Sequence, residues 1–330
     1  MMTDKEVYKK TLPFSLRRMS WDTLGILLLA ALTVAGFFIG GAVSAEGDNS
    51  APVVGLIIGA IIGLIVFVFI TRWNSYKNKA AQIAMMTRGV TEDSLPEDVV
   101  GEGKAIVKER FATVAGYYAL TSLIKGAFNE LGRIITNVGR SVGGDTGETV
   151  GSAISSVIQV VVRYLCDCCL GWVFYRSTVS APKASCEGAV IFFKHGKTLL
   201  KNLGRIFGIG IALFLLIGGV FAVIIYFILD AIKLDQGFLN SLAQNFAEAE
   251  TQNFLTEFLS KPENVVIAIA ILGGIILWDV VHTVFIRPYV LVGVLRNYIA
   301  SGADDVPTEE SFATLDSKSA KFRKLHAQAT

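Results

Sequence analysis

The chain has 330 residues, of which 52% are hydrophobic and 18% charged, against roughly 25% charged in soluble domains. With a mean hydropathy of +0.55 and apolar runs near the ~20 residues that cross a ~30 Å hydrocarbon layer, the composition excludes a soluble enzyme, a coiled coil and a disordered chain. A net charge of +2 provides no global field to collect nucleic acid or an acidic substrate, so the placement of the charges matters more than their sum.

Residues 1–22 form a basic, cytoplasmic N-terminus with Lys5, Lys9, Lys10, Arg17 and Arg18, and Trp21 stands where a headgroup-level aromatic belongs. The apolar run 23–43 follows as a transmembrane helix. Val43-Ser44-Ala45 fits a signal-peptide cleavage site, but the run exceeds the usual 7–15 residues of a signal peptide and its basic flank is long. After the acidic turn Glu46-Gly47-Asp48, residues 53–70 make a second span that closes on Arg72 and Trp73. The outer loop of this hairpin (23–73) has no Lys or Arg, so the positive-inside rule puts both flanks in the cytoplasm. Gly36, Gly40, Gly55, Gly59 and Gly63 recur at four-residue spacing. Small residues so spaced let helices approach closely, within the hairpin or in self-association or pairing with a partner membrane subunit.

Residues 74–104 read as a polar cytoplasmic linker, with Ser94-Leu95-Pro96-Glu97 as a helix start capped by Ser94. The main helical membrane domain follows over 105–300. Its first part, 105–136, is apolar from Phe111 to Ile124, is interrupted by Lys125, and continues through Leu131, Ile134, Ile135 and Val138. Residues 150–175 are hydrophobic enough to span yet carry Arg163 and Asp167. The next stretch holds Arg176, Lys183, Lys194, Lys197, Lys201 and Arg205 against Glu187 alone and is therefore cytoplasmic. The crossings between Lys104 and that stretch are then even in number, so the chain has either four or six spans. Phe192 and Phe193 among these cations suit a helix on an anionic inner leaflet, or an ordinary positive flank.

Residues 206–229 form a clear span, 230–264 an acidic outer segment with amphipathic helices, and 265–286 a returning span that ends at Arg287-Pro288. The cytoplasmic tail, 301–330, is of mixed charge and is expected to be mobile.

Ionisable groups inside spans cost a few kcal/mol each and mark pathways or paired sites. Arg163 and Asp167, four apart, share a helical face and can pair with each other. Asp279 and His282, three apart, share another and can accept a cation or proton, with Arg287 as the nearest strong charge. These four are the candidate pathway residues. Cys166, Cys168, Cys169 and Cys186 are the four cysteines. Their spacing does not repeat the paired pattern of a zinc site, and buried thiols or palmitoylation near the inner leaflet fit better. Gly139-Arg140-Ser141-Val142-Gly143 lacks the strand–turn–helix setting of a nucleophile elbow. Gly196-Lys197-Thr198 lacks the leading glycine of a phosphate loop, since Ile191 stands there. No catalytic set, cofactor site or metal site follows from the sequence.

Several segments, taken in order, resemble the C-terminal part of the choline-transporter-like family. They are Tyr118-Ala119-Leu120-Thr121-Ser122-Leu123-Ile124, the cysteine-rich Arg163-Tyr164-Leu165-Cys166-Asp167-Cys168-Cys169-Leu170-Gly171-Trp172, and Ser185-Cys186-Glu187-Gly188-Ala189 with its basic continuation to Arg205. A span, an outer loop and a last span ending near Leu295-Arg296 complete the series. The resemblance covers roughly residues 111–300, order and character matching better than identity, and this chain lacks most of that family's earlier spans. It implies a helical solute carrier for choline or a related small organic cation. The expectation is thus an all-α, polytopic helical membrane protein of four to six transmembrane helices with amphipathic surface helices. Its partner is the lipid bilayer, it binds no nucleic acid, and its two termini are cytoplasmic in the plasma membrane. The expected function is that of a non-enzymatic solute transporter or transporter-like protein for a small organic cation, with a non-catalytic membrane scaffold or accessory subunit as the alternative.

Overall fold

A computed structural model describes residues 2–43, 51–111, 119–130, 148–232, 236–247 and 254–329. Of these residues 90% are helical and none forms a strand, as expected from the sequence. The acidic turn at 46–48, the apolar positions Leu131, Ile134, Ile135 and Val138, and the motif at 139–143 lie outside the described residues. The helices are α1 (Asp4–Val43), α2 (Ala51–Thr91), α3 (Val99–Arg110), α4 (119–130), α5 (Glu148–Tyr175) and α6 (Ala181–Leu213). A π-helical turn (Phe214–Gly218) leads into α7 (Gly219–Ile232), followed by α8 (Gln236–Ala247), α9 (Phe254–Leu259) and α10 (Pro262–Val281). A second π turn (His282–Ile286) leads into α11 (Arg287–Asp304), α12 (Glu309–Lys318) and α13 (Ala320–His326). That turn directly precedes Pro288. A proline ring crowds the carbonyl four residues back, and a widened turn relieves the clash.

The chain divides into two compact units that each draw on separated stretches of sequence. Unit 1 contains Met1–Arg17, Tyr76–Gly208 and Phe285–Thr330, and unit 2 contains Arg18–Ser75 and Ile209–Val284.

Unit 2 carries the apolar helices. Among the described residues four helices are long and apolar enough to cross a membrane: Asp4–Val43, Ala51–Ile70, Phe214–Ile232 and Pro262–Asp304. The glycine stripe lies where α1 crosses α2. A Cβ on Gly36 would meet the carbonyl oxygen of Gly55 and stand 2.9 Å from the Cα of Gly59. One on Gly59 would meet the carbonyl oxygen of Leu32, and one on Gly40 that of Ala51. The stripe therefore faces its own hairpin partner. A second close approach joins α7 and α10, where a Cβ on Gly274 would stand 2.8 Å from both the Ala222 nitrogen and the Gly218 oxygen. The acidic segment forms amphipathic helices as its pattern predicts, and α8 rests Leu239 and Ala243 on Val265 of α10.

Unit 1 has a conventional hydrophobic core. The stretch expected to be a linker is instead the second half of α2. Its residues Ala80, Ala81, Ile83, Ala84, Met85 and Met86 are buried, and all except Ile83 are strong helix formers. The start of α1 packs into the same unit, with Val7, Thr11, Phe14 and Ser15 fully buried. Gln82 Nε2 donates to Ser15 Oγ at 2.9 Å and to the Thr11 carbonyl at 3.3 Å, which satisfies a buried amide and pins α1 to α2. Two residues beyond the end of α2, Asp93 adopts φ 58° and accepts a hydrogen bond from the Met2 nitrogen at 2.9 Å. The next helix is capped by Asp98, whose carboxylate accepts from Gly101 N at 2.9 Å, rather than by Ser94. Pro96 disfavours helical geometry at the residue before it, so the start falls beyond the Ser94-Glu97 box.

Two further expectations change. Phe192 does not lie in a lipid boundary: it is buried and stacks on Phe128 of α4, with centroids 4.8 Å apart. The tail packs into the core of unit 1. Phe312, Leu315, Phe322 and Leu325 enter the core at helical spacing. Glu130 of α4 accepts hydrogen bonds from Ser319 Oγ at 2.8 Å and from the nitrogens of Ala320 and Lys321 at 3.3 and 2.9 Å. These bonds, led by that from Lys321 N, hold its carboxyl below the ordinary value. They also clamp the N-terminus of α13, whose charged surface conceals an apolar face in the sequence.

Two tests follow from this packing. Gly36→Leu should lower hairpin stability in detergent by about 1–3 kcal/mol through overpacking against backbone. Gly41→Ala, where the added atom meets only Pro52 at 3.8 Å, should leave it unchanged; thermal unfolding of the two variants checks this. Glu130→Gln should loosen residues 309–329 by about 1 kcal/mol, as loss of a helix cap does, read as faster amide hydrogen exchange confined to that stretch.

Candidate functional site

The strongest concentration of buried charge in unit 1 centres on Asp167 of α5. Residues 164–174 of that helix are almost entirely buried, with Leu165, Cys168, Cys169, Trp172 and Val173 at 0% exposure. This half of α5 is thus a core helix, and Asp167 comes into the core with it. Its two carboxylate oxygens are divided between helices: Lys79 Nζ of α2 lies 2.6 Å from Oδ1, and an Arg287 terminal nitrogen of α11 lies 2.5 Å from Oδ2. The same Arg287 nitrogen reaches the Arg163 carbonyl at 3.5 Å, and the guanidinium stands 5.5 Å from the Tyr164 ring centroid.

Burial opposes ionisation of Asp167, yet the charges and hydrogen bonds of Lys79 and Arg287 overcome it and hold the carboxyl below its ordinary value. Tyr164 beside it is pushed up to about 12, chiefly by burial. The expected Arg163–Asp167 pair does not form, because Asp167 is taken by Lys79 and Arg287 while Arg163 remains exposed. Arg287, expected as the charge nearest to Asp279, is engaged by Asp167. Lys79 and Arg287 are the residues sequence reasoning missed. Arg287 is 120 positions from its partner, and no local spacing signals such a contact.

Asp279 and His282 belong to unit 2, so neither unit contains all four predicted residues. Asp279 is exposed on α10. His282 opens the π turn and stacks on Trp278 at 5.6 Å, and Trp278 also meets Phe214 edge-on at 5.9 Å. The aromatic column Phe214–Trp278–His282 thereby links the first residues of the two π turns.

A second buried carboxylate, Glu187 of α6, accepts from Trp172 Nε1 at 2.9 Å and Arg176 Nε at 3.0 Å. The cysteines around it are free thiols: Cys168, Cys169 and Cys186 are buried and Cys166 partly so. Burial pushes Cys186 up to about 12 and Cys168 and Cys169 well above the ordinary thiol value. Such buried thiols pack as small hydrophobes in a tight core. Among the described residues no cluster of three or more His, Cys, Asp or Glu side chains suits a metal ion.

An open cleft of about 650 Å³ lies between α2, α3 and the end of α5. Its cations are tied within the unit. Arg88 pairs with Glu92 at 2.7 Å and Glu102 at 3.2 Å, and Arg110 donates to the carbonyls of Arg176 and Ser177. Arg110 thereby caps the C-terminal end of α5 with positive charge.

The chain matches no protein-family profile, no curated protein and no solved structure.

Asp167→Asn should destabilise the protein by about 3–5 kcal/mol, because two buried cations lose their counter-charge. Arg163→Gln should change stability by less than about 0.5 kcal/mol. The carboxyl is depressed in the folded state, so its contribution is complete above the ordinary Asp value and is lost as pH falls through the folded value. The stability gap between wild type and Asp167→Asn, measured by thermal unfolding, should therefore shrink on acidification below about pH 4.

Proposed function

We propose that this multi-pass membrane protein is a non-catalytic scaffold or accessory subunit, its four spans anchoring a folded helical unit and associating with further membrane subunits. The observation that carries this reading is the small extent to which the spans bury one another. In their most apolar stretches 0%, 11%, 6% and 22% of residues are buried inside the chain. A solute pathway walled by a single copy needs spans with a sheltered inward face, whereas spans so open present their surfaces to lipid or to other transmembrane helices. Large exposed side chains on them, among them Phe38, Phe69, Leu215 and Leu216, suit such contacts. With an even number of spans, four of them among the described residues, the termini share one side of the membrane, and the basic flanks Lys5, Lys9, Lys10, Arg17 and Arg18 favour the cytoplasm by the positive-inside rule. The plasma membrane is the compartment we propose.

The second reading, transport of a small organic cation, rests on the resemblance to the choline-transporter-like family and on Asp279. An exposed carboxylate on an apolar helix is costly in hydrocarbon unless it lines a wet path or meets a cation. In that reading further copies close around α10.

Protein isolated in mild detergent should run as an oligomer or with co-purifying membrane subunits; a lone monomer overturns the scaffold reading. In reconstituted vesicles the wild type should move no organic cation. Flux that Asp279→Ala abolishes would establish transport in its place.

A further inference from the structure

The cleft between α2, α3 and the end of α5 lies wholly within unit 1 and holds charge that the protein leaves unmatched. Two cations, Arg88 and Arg110, and two acids, Glu92 and Glu109, line it. Arg88 and Glu92 cancel, being paired at 2.7 Å. Among the described residues Arg110 has no carboxylate partner and Glu109 no cationic one. The two are neighbours on α3, so their side chains leave the helix about 100° apart, and both border the cleft without pairing.

Arg110 is half-buried. Its terminal nitrogens donate at 3.3 and 3.0 Å to the carbonyls of Ser177 and Arg176, and its Nε is buried with no hydrogen-bond partner. A guanidinium has five N–H groups, so two bonds leave donors over, and neutral carbonyls do not cancel the charge. A cation drawn partly out of water without a counter-charge is costly, and an anion relieves that cost.

The rest of the lining narrows the ligand. Ala84, Ile106 and Phe174 give the cleft an apolar wall, and the Tyr175 ring, 39% exposed, borders it as well. Its volume of about 650 Å³ lies within the ~300–1,000 Å³ of small-molecule sites, which combine apolar walls with a few placed polar groups. An anion alone would meet the repulsion of Glu109, and a cation alone that of Arg110. A compound with both charges a few bonds apart and an apolar body suits all of these surfaces, and its ammonium gains further from an aromatic ring nearby.

We propose that this cleft binds a zwitterionic amino acid with an aromatic or large apolar side chain, its carboxylate on Arg110, its ammonium on Glu109 and its side chain against Phe174 and Tyr175. The site goes beyond the scaffold reading and does not depend on it, since a ligand held within unit 1 neither requires nor prevents association of the spans.

The test is isothermal titration calorimetry on the full-length protein in mild non-ionic detergent, with phenylalanine as the probe. Two analogues each lack one charge: phenylpropionate has no ammonium and phenethylamine no carboxylate. Phenylalanine should bind with a Kd below about 1 mM, and each analogue about tenfold more weakly. Glu109→Gln is the main variant, because that side chain is exposed and bonds to nothing else among the described residues. It should melt like the wild type, bind phenylalanine about tenfold more weakly and bind phenylpropionate no worse than the wild type does. Arg110→Gln should abolish binding of both carboxylates. If loss of the α5 cap keeps that variant from folding, the comparison of phenethylamine with phenylalanine on the wild type reads the same contact. Absence of saturable phenylalanine binding, equal affinity for phenylalanine and either analogue, or undiminished phenylalanine binding by Glu109→Gln overturns the proposal.

Discussion

Three helices of unit 1 meet on one carboxylate. Asp167 sits in the half of α5 whose residues 164–174 are almost entirely buried, and it draws Lys79 from α2 and Arg287 from α11 into the same core. Moving these charges out of water costs several kcal/mol per ion, and only close geometry with hydrogen bonds offsets it. With contacts of 2.6 and 2.5 Å the arrangement meets that condition, and alternative packings of α2 and α11 would strand a buried charge. The ion cluster accordingly selects one register for α5 against its neighbours more than it adds stability, a role attested for buried polar groups in other folds.

The packing around the cluster follows from small residues and thiols. Cys168, Cys169 and Cys186 fill the core as small hydrophobes, and Trp172 finds its hydrogen-bond partner in Glu187. Arg176 secures the other side of that carboxylate. The C-terminal helices then close over α4 and α6 through Phe312 and Phe322, with Glu130 fixing the start of α13. In unit 2 the same economy of size operates between helices: glycines at the α1–α2 and α7–α10 crossings bring backbones together where any side chain would hold them apart.

Much of the fold was legible in the sequence where the signal was local. The all-helical class, the four apolar runs, the glycine spacing and the amphipathic acidic segment all follow from periodicity and run length. Helices with a charged outer face were harder to recognise. Residues 80–87 look like part of a polar linker because Lys77, Asn78 and Lys79 precede them, and residues 309–326 look like a tail because their apolar positions are diluted by charge. Both are core helices, since an apolar residue every third or fourth position suffices for burial. Asp167 stands out in the sequence as an ionisable group in an apolar helix, but local spacing points to Arg163 as its partner, whereas the structure pairs it with Lys79 and Arg287.

The sequence by itself determined that this chain is helical and built for a membrane, because hydrocarbon thickness and backbone hydrogen bonding leave few alternatives to long apolar helices. It also determined which groups are costly to bury. Only the tertiary structure decided how those costs are met. Asp167 pairs with residues remote in the chain, the glycines face their own hairpin, and the two ends of the chain join the middle in one unit. Contacts between residues far apart depend on how helices pack in three dimensions, and no spacing along the chain encodes that.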